Sequence, residues 1–182
     1  MKNRQLYEFR DTDGAGAPEV VMSRYKEGND DLYSPTYDVI ISSSTLGWDY
    51  DTATWPEDVT EDNIRDDDDR SYYILAANTI KKIKSLKPSN YRENHVQKFT
   101  RILIMFSDTA PTDVLMYHFK DNNIDFNNPD AIVTATDRDL QGRYRKILAA
   151  QDANDDTFID SSDELIYRTL ATSFASMKYS PP

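Results

Sequence analysis

Asp152-Ala153-Asn154-Asp155-Asp156-Thr157-Phe158-Ile159-Asp160-Ser161-Ser162-Asp163 sets side-chain oxygens at the first, third, fifth, ninth and twelfth places of one short segment. Phe158, at the seventh place, adds a backbone carbonyl. Oxygens at that spacing can converge on a hard divalent cation from a single turn of chain. Ile159, in the eighth place, is the apolar residue expected to pin the turn to a core.

Both flanks read as helical. Upstream, Leu140, Tyr144, Ile147 and Leu148 form an apolar stripe, and Thr136 is a fitting N-cap; downstream, Ile166, Leu170, Phe174 and Met177 form another stripe. Ser161 and Glu164 have the S-x-x-E spacing of a capping box that would start the second helix.

These residues resemble an EF-hand, and within that family the dockerin-type loop, whose D-x-N-x-D pattern ends in Asp. The resemblance covers residues 136–178. It implies a helix-loop-helix calcium fold with Asp152, Asn154, Asp156, Asp160 and Asp163 as side-chain ligands, joined by the Phe158 carbonyl. Two residues depart from the pattern. Thr157 stands where the sharp turn prefers Gly, and Asp163 has a shorter arm than the usual Glu. Dockerins carry two such loops, and a second is not apparent in the sequence, so the expectation is one structural calcium site.

The rest of the chain surrounds this module with an acidic α+β body. Its 182 residues are 38% hydrophobic and carry 21 basic and 32 acidic side chains, a net charge of -11. That balance speaks against DNA phosphate or an anionic membrane as partner of the whole surface. The charge is uneven: residues 1–70 hold 7 basic against 18 acidic groups, residues 71–120 hold 8 against 3, and residues 121–182 hold 6 against 11. The absence of cysteine excludes a disulfide scaffold, an iron-sulfur centre and a thiol nucleophile.

Leu6–Phe9, Val20–Tyr25 and Tyr37–Ser42 read as strands separated by Gly- and Asp-rich turns. Residues 47–70 hold ten acidic groups against two basic ones and read as a long solvated loop. Ser71–Lys87 reads as a helix, with Tyr73, Ala76, Ile80 and Ile83 on one face, acids before its start, lysines in its second half and Pro88 as its stop. Gln97–Phe106 and Val114–Phe119 read as two buried strands joined by a turn, and Asp121–Asp130 as loop. No repeat is visible at the 20–50-residue periods of solenoids and propellers. The expected architecture is α+β: antiparallel strands packed with helix 71–87 over residues 1–130, then a helix-loop-helix over residues 131–182.

Several further signals weigh less. Asp11-Thr12-Asp13-Gly14 reads as a turn, and Asp121, Asn123 and Asp125 begin like a cation loop but lack its later ligands. Lys81–Arg101, with Tyr91 and His95 interleaved, has the composition of a nucleic-acid patch, although dipole compensation already accounts for its lysines. Support for catalysis is thin. His95 and His118 are the two histidines, His118 reads as a packed strand residue, phosphate-cradling glycine loops are missing, and what remains is a carboxylate pair drawn from a plentiful supply, such as Asp108 and Asp113, as acid and base.

The expected function is therefore non-enzymatic: a structural or interaction protein, oligomeric or joined to other protein subunits, with twelve tyrosines suited to contact surfaces. No signal peptide or membrane span is read, so the expected location is the cytoplasm or a particle assembled there, such as a virion or connector ring. The alternative is an acidic DNA mimic that inhibits a nucleic-acid-binding enzyme, motivated by the run from Asp49 to Asp69.

Overall fold

The computed structural model describes residues 4–14, 18–26, 28–29, 31–45, 47, 49–84, 101–120, 123 and 125–178. Eight strands form one antiparallel sheet: β1 (Arg4–Arg10), β2 (Glu19–Tyr25), β3 (Tyr37–Ser42), β4 (Thr52–Thr54), β5 (Arg101–Phe106), β6 (Val114–Phe119), β7 (Ala131–Arg138) and β8 (Tyr144–Leu148). Two helices accompany it, α1 (Asp67–Ile80) after β4 and α2 (Ser161–Ser176) after β8. In space the strands run β4-β3-β2-β1-β5-β6-β7-β8. The chain is thus α+β, as expected. The boundary expected after residue 130 falls between neighbouring strands β6 and β7 of this one sheet.

The order is symmetric about its centre because the chain repeats itself. Each half is four strands and a helix, and the halves meet where β1 pairs with β5, Leu6 lying opposite Leu103. From β2 onward the halves correspond at an offset of 94, as between Asp69 and Asp163. Val20, Met22, Lys26, Asn29, Asp31, Pro35, Val39, Tyr50, Asp58, Tyr73 and Ala77 recur unchanged at that distance. The first strands correspond at 97, where Arg4, Leu6 and Phe9 match Arg101, Leu103 and Phe106. Phe9 faces Val20 whereas Phe106 faces Val114, so the β1–β2 hairpin is three residues longer than its counterpart.

Hydrogen bonds repeat along with the residues. Asn29 and Asn123 each cap a turn by accepting from Asp31 N and Asp125 N, at 3.1 and 3.0 Å. The Tyr50 hydroxyl donates to Pro18 O at 2.9 Å, and the Tyr144 hydroxyl donates to Thr112 O at 2.7 Å. Trp55 and Ala149 both hold left-handed backbone, at φ 57° and 54°. A repeat of this length lies well beyond the solenoid periods.

Alternation along the strands sorts the side chains. Tyr7, Phe9, Val20, Met22, Val39, Ile41 and their counterparts face the helices and form the main core with Tyr73, Ile80, Tyr167, Leu170 and Phe174. The opposite face carries a smaller cluster, Leu6, Tyr25, Leu103 and Phe119, roofed by Leu32 and Phe126 from the β2–β3 and β6–β7 connections. Beside it Arg101 pairs with buried Glu8 at 2.7 Å and lies over the Phe126 ring.

Two expectations change here. The segment before the candidate loop is not a helix: residues 144–148 are the edge strand β8, Thr136 lies inside β7, and Leu140 is fully exposed in the turn between them. The acidic stretch 47–70 contains β4 and the start of α1. Helix α1 begins at Asp67, four residues before its expected start, and ends at Ile80, so Lys81, Lys82 and Lys84 follow it. Most of the segment Lys81–Arg101 lies outside the described residues. Among the described residues no helix is long and apolar enough to cross a membrane.

Candidate metal centre

The loop Asp152–Asp163 joins β8 to α2 and is held by its own carboxylates. Asp152 Oδ1 accepts from Asp156 N at 3.1 Å, and its Oδ2 accepts from Thr157 N at 2.8 Å. Asn154 Oδ1 accepts from Asp156 N at 3.0 Å, and Asp156 Oδ1 from Phe158 N at 3.0 Å. Asp160 is the N-cap of α2, accepting from Ser162 N at 2.7 Å. The Ser162 hydroxyl and amide hold the Asp160 carboxyl below the usual carboxylate range. Ser161 and Glu164 therefore do not form the cap; Asp160 and Asp163 do.

Asp163 is the deepest of these groups, fully buried. Its Oδ1 accepts from Ala153 N at 2.8 Å and Asn154 N at 3.1 Å, and its Oδ2 accepts from Asp160 N at 2.9 Å. One carboxylate thus ties the start of the loop to its end. Ile159 does not pin the loop, being 63% exposed beside a 70% exposed Phe158. The buried apolar contact comes from Ala153 instead.

The internal repeat places a second loop of the same construction at residues 58–69, between β4 and α1. Asp58, Asp62, Asp66 and Asp69 occupy the places of Asp152, Asp156, Asp160 and Asp163, with Thr60 for Asn154 and Ile64 for Phe158. Asp58 Oδ1 accepts from Glu61 N at 2.6 Å and its Oδ2 from Asn63 N at 2.8 Å; Asp62 Oδ1 accepts from Ile64 N at 2.8 Å. Buried Asp69 accepts from Val59 N at 2.8 Å, Thr60 N at 3.1 Å and Asp66 N at 3.1 Å. The two loops also hold one another's halves. Lys84 N, past the end of α1, donates to Ala153 O at 2.6 Å, and Lys178 N, past the end of α2, donates to Val59 O at 2.9 Å.

Both loops bend through left-handed residues at the same two places, Glu61 and Asn63 at φ 64° and 68°, Asp155 and Thr157 at φ 60° and 77°. A β-branched residue is strained there, and Gly is not. Thr157→Gly is therefore expected to stabilise the protein by about 1 kcal/mol, measured as a rise in the urea midpoint at unchanged slope. The matching Asn63→Gly should gain less, because Asn tolerates this conformation better.

The side-chain donors are all oxygens, and the acids of Asp152–Asp163 and Asp58–Asp69 form no trio whose ligand atoms lie within 4.8 Å of one another. Asp152 accepts two N–H groups from within the loop and Asn154 and Asp156 one each, and a carboxylate or amide oxygen retains a lone pair after accepting one hydrogen bond. Asp163 and Asp69 are fully buried and each accept three backbone N–H groups, against two for Asp152 and Asp58, which assigns them first to the fold. Among the described residues, the trio of acidic side chains whose ligand atoms all lie within 4.8 Å of one another is Asp11, Asp13 and Glu19. It sits in the longer β1–β2 hairpin, where Glu19 Oε2 also accepts from Thr12 N at 2.6 Å and Thr12 Oγ1 at 2.9 Å. That cluster could hold a metal, and nothing in it selects calcium.

His118 lies on the helix-facing side of β6, fully buried, with its ring centroid 5.6 Å from that of Tyr167. Desolvation pushes it down to about 4. It is a packed strand residue without access to a substrate. Its counterpart in the first half is Arg24, which pairs with Glu57 at 2.5 Å, while the second half has Gln151 in the acid's place. Comparison of the chain with protein families, curated proteins and solved structures finds no match.

Proposed function

We propose that the chain is a non-enzymatic structural or interaction protein in which divalent cations fix two loop-helix units, and that it serves as a subunit of a larger protein assembly, a virion or connector ring being one form. Calcium suits the donors best, because they are all oxygens gathered along one loop. The observation that carries this reading is the recurrence, 94 residues apart, of one loop with Asp at its first, fifth, ninth and twelfth places. The reading deepens the single-site expectation into two matched sites, Asp58–Asp69 and Asp152–Asp163.

Several of the acids that motivated the DNA-mimic alternative have local work: Asp58, Asp62, Asp66 and Asp69 each accept backbone N–H groups. That favours the structural reading over the decoy.

Titration calorimetry with calcium, alongside melting in calcium, magnesium and chelator, is the test. Two binding events per chain are expected, with stabilisation of about 2.7 kcal/mol per site at a hundredfold excess over Kd. Asp58→Asn and Asp152→Asn should each remove one event. These positions are chosen because Asp69 and Asp163 variants would unfold the loops with or without an ion. Absence of heat together with an unchanged melting point would overturn the cation reading. Mass photometry showing a monomer at all concentrations would overturn the assembly reading.

A further inference from the structure

A groove of about 340 Å³ opens between α1 and α2 beside the β7–β8 turn. Its walls are mainly apolar: Tyr72 and Leu75 come from α1 and Leu165 from α2, and both leucines are about half exposed. Arg168 and Arg143 lie along it. Apolar walls with a few convergent polar groups are the usual make-up of a small-molecule site, and this volume falls at the small end of the range of about 300–1,000 Å³.

Three polar groups decide what would fit. Ser173 lines the groove, is 4% exposed, and among the described residues its hydroxyl has no hydrogen-bond partner. The serine and threonine hydroxyls around it are committed: Thr169 Oγ1 donates to Leu165 O at 2.7 Å, Ser176 Oγ donates to Thr172 O at 2.7 Å, and Thr172 Oγ1 accepts from Tyr144 N at 3.4 Å. Arg168 donates from Nε to Glu164 O at 3.4 Å and, among the described residues, has no carboxylate partner. Arg143 shares Asp139 with Arg145. In a chain of net charge -11, a guanidinium left to a backbone carbonyl over an apolar groove is conspicuous.

The internal repeat supplies a control for this arrangement. At the matching place in the first half, Ile74 stands for Arg168 and Asp49 for Arg143, and Asp49 is neutralised by Lys81. Thr79 stands for Ser173 and donates to Leu75 O at 2.8 Å; Asn78 stands for Thr172 and bonds both Tyr50 N and Tyr50 O. One scaffold thus appears twice. The first copy satisfies its own polar groups at these places, and the second leaves a hydroxyl unpartnered and a guanidinium without a carboxylate among the described residues.

We infer that the groove between α1 and α2 binds a small free carboxylate with an apolar body, a medium-chain alkanoate or arylalkanoate, its tail between Leu75, Leu165 and Tyr72 and its head on Arg168 with Ser173. Planar guanidinium and carboxylate match in a two-pronged geometry that an ammonium or hydroxyl head cannot offer. The site is separate from the cation loops, so either reading can fail alone.

The test is a two-dimensional amide NMR titration of the full chain with decanoate, below its micelle-forming concentration, in parallel with decyltrimethylammonium and decanol. Saturable shifts clustered on Tyr72, Leu165 and Ser173 are expected with decanoate, with at least tenfold weaker binding of the other two. Arg168→Gln should weaken decanoate about tenfold and Ser173→Ala several-fold, whereas Ile74→Ala in the first half should leave it unchanged. Arg168 makes no buried ion pair among the described residues, so Arg168→Gln should melt like the parent, and Arg168→Lys provides a second folded variant with intermediate affinity. Equal binding of decyltrimethylammonium, unchanged affinity in both Arg168 variants, shifts centred elsewhere, or no saturation would each overturn the inference.

Discussion

Asp163→Ala is expected to destabilise the protein by about 3–5 kcal/mol, and Asp69→Ala by a similar amount. Each aspartate is fully buried and accepts from three backbone N–H groups. Truncation strands those donors beneath the N-terminus of a helix, and each stranded donor costs about 1–3 kcal/mol before relaxation. The helix also loses its capping box, itself worth about 1 kcal/mol. The damage should cross between halves, since the Asp163 loop supplies the carbonyl that Lys84 N binds and the Asp69 loop supplies the one that Lys178 N binds. Urea unfolding is the measurement, with Asp152→Asn, which is half-buried and keeps one acceptor oxygen, as a comparison expected to cost under about 1 kcal/mol in chelator. A loss below 1 kcal/mol in both alanine variants would mean that the loops keep their shape without these carboxylates.

Acid should weaken the protein in a window set by His118, before the carboxylates titrate. Burial holds this imidazole neutral and depresses it to about 4, with Lys120 adding to the shift and Asp130 opposing it. In the unfolded chain the same group titrates near 6.5. Between those values the unfolded state binds the extra proton, so stability falls as pH drops from about 6.5 to about 4 and the loss levels off below that. The difference is worth roughly 3 kcal/mol. Asp130, Asp139 and Asp160 are all held below the usual carboxylate range, so their contributions are lost only at lower pH. His118→Phe should flatten the profile between pH 6.5 and 4.5 while leaving the steeper acid limb. A profile identical to the parent's in that window would show that His118 is solvated or partnered in solution.

The parts of the fold legible in the sequence are those with one strong periodicity. Val114–Phe119 is β6 to the residue, because its alternation is bounded by turn formers on both sides. The stripe Ile166, Leu170, Phe174 and Met177 marks α2 and its end correctly enough to place the packing face. The upstream stripe misleads for a local reason. Asp137 takes left-handed backbone between the Thr136–Lys146 and Arg138–Tyr144 pairs, and Tyr144 and Ile147 both reach the core. Two core residues three apart in a strand imitate helical spacing.

The second loop was hidden by its own composition. Where Asp66, Asp67, Asp68 and Asp69 follow one another, the spacing of the ninth and twelfth places disappears into a run, and Thr60 replaces the telltale Asn. Laying the chain on itself at an offset of 94 exposes the pattern at once, since Asp58, Asp62, Asp66 and Asp69 then fall on Asp152, Asp156, Asp160 and Asp163. The groove between the helices carries no sequence signature, because it depends on which side of α2 meets α1 across the repeat.

The seam between β1 and β5 sets a schedule for the growing polypeptide. Tyr7 and Phe9 belong to a strand whose second neighbour, Arg101–Phe106, is synthesised about 90 residues later, roughly 5–20 s at ordinary elongation rates. During that wait the first half can close on β2 but keeps a bare hydrogen-bonding border on its other side. The strand awaited is a relative of β1 itself, sharing its Arg, Leu and Phe places, so the nearest substitute on a crowded polysome is β1 of another nascent copy. Truncation before residue 101 should therefore yield paired half-chains joined edge to edge, because the β1 border is otherwise covered by the later half arriving on the same chain.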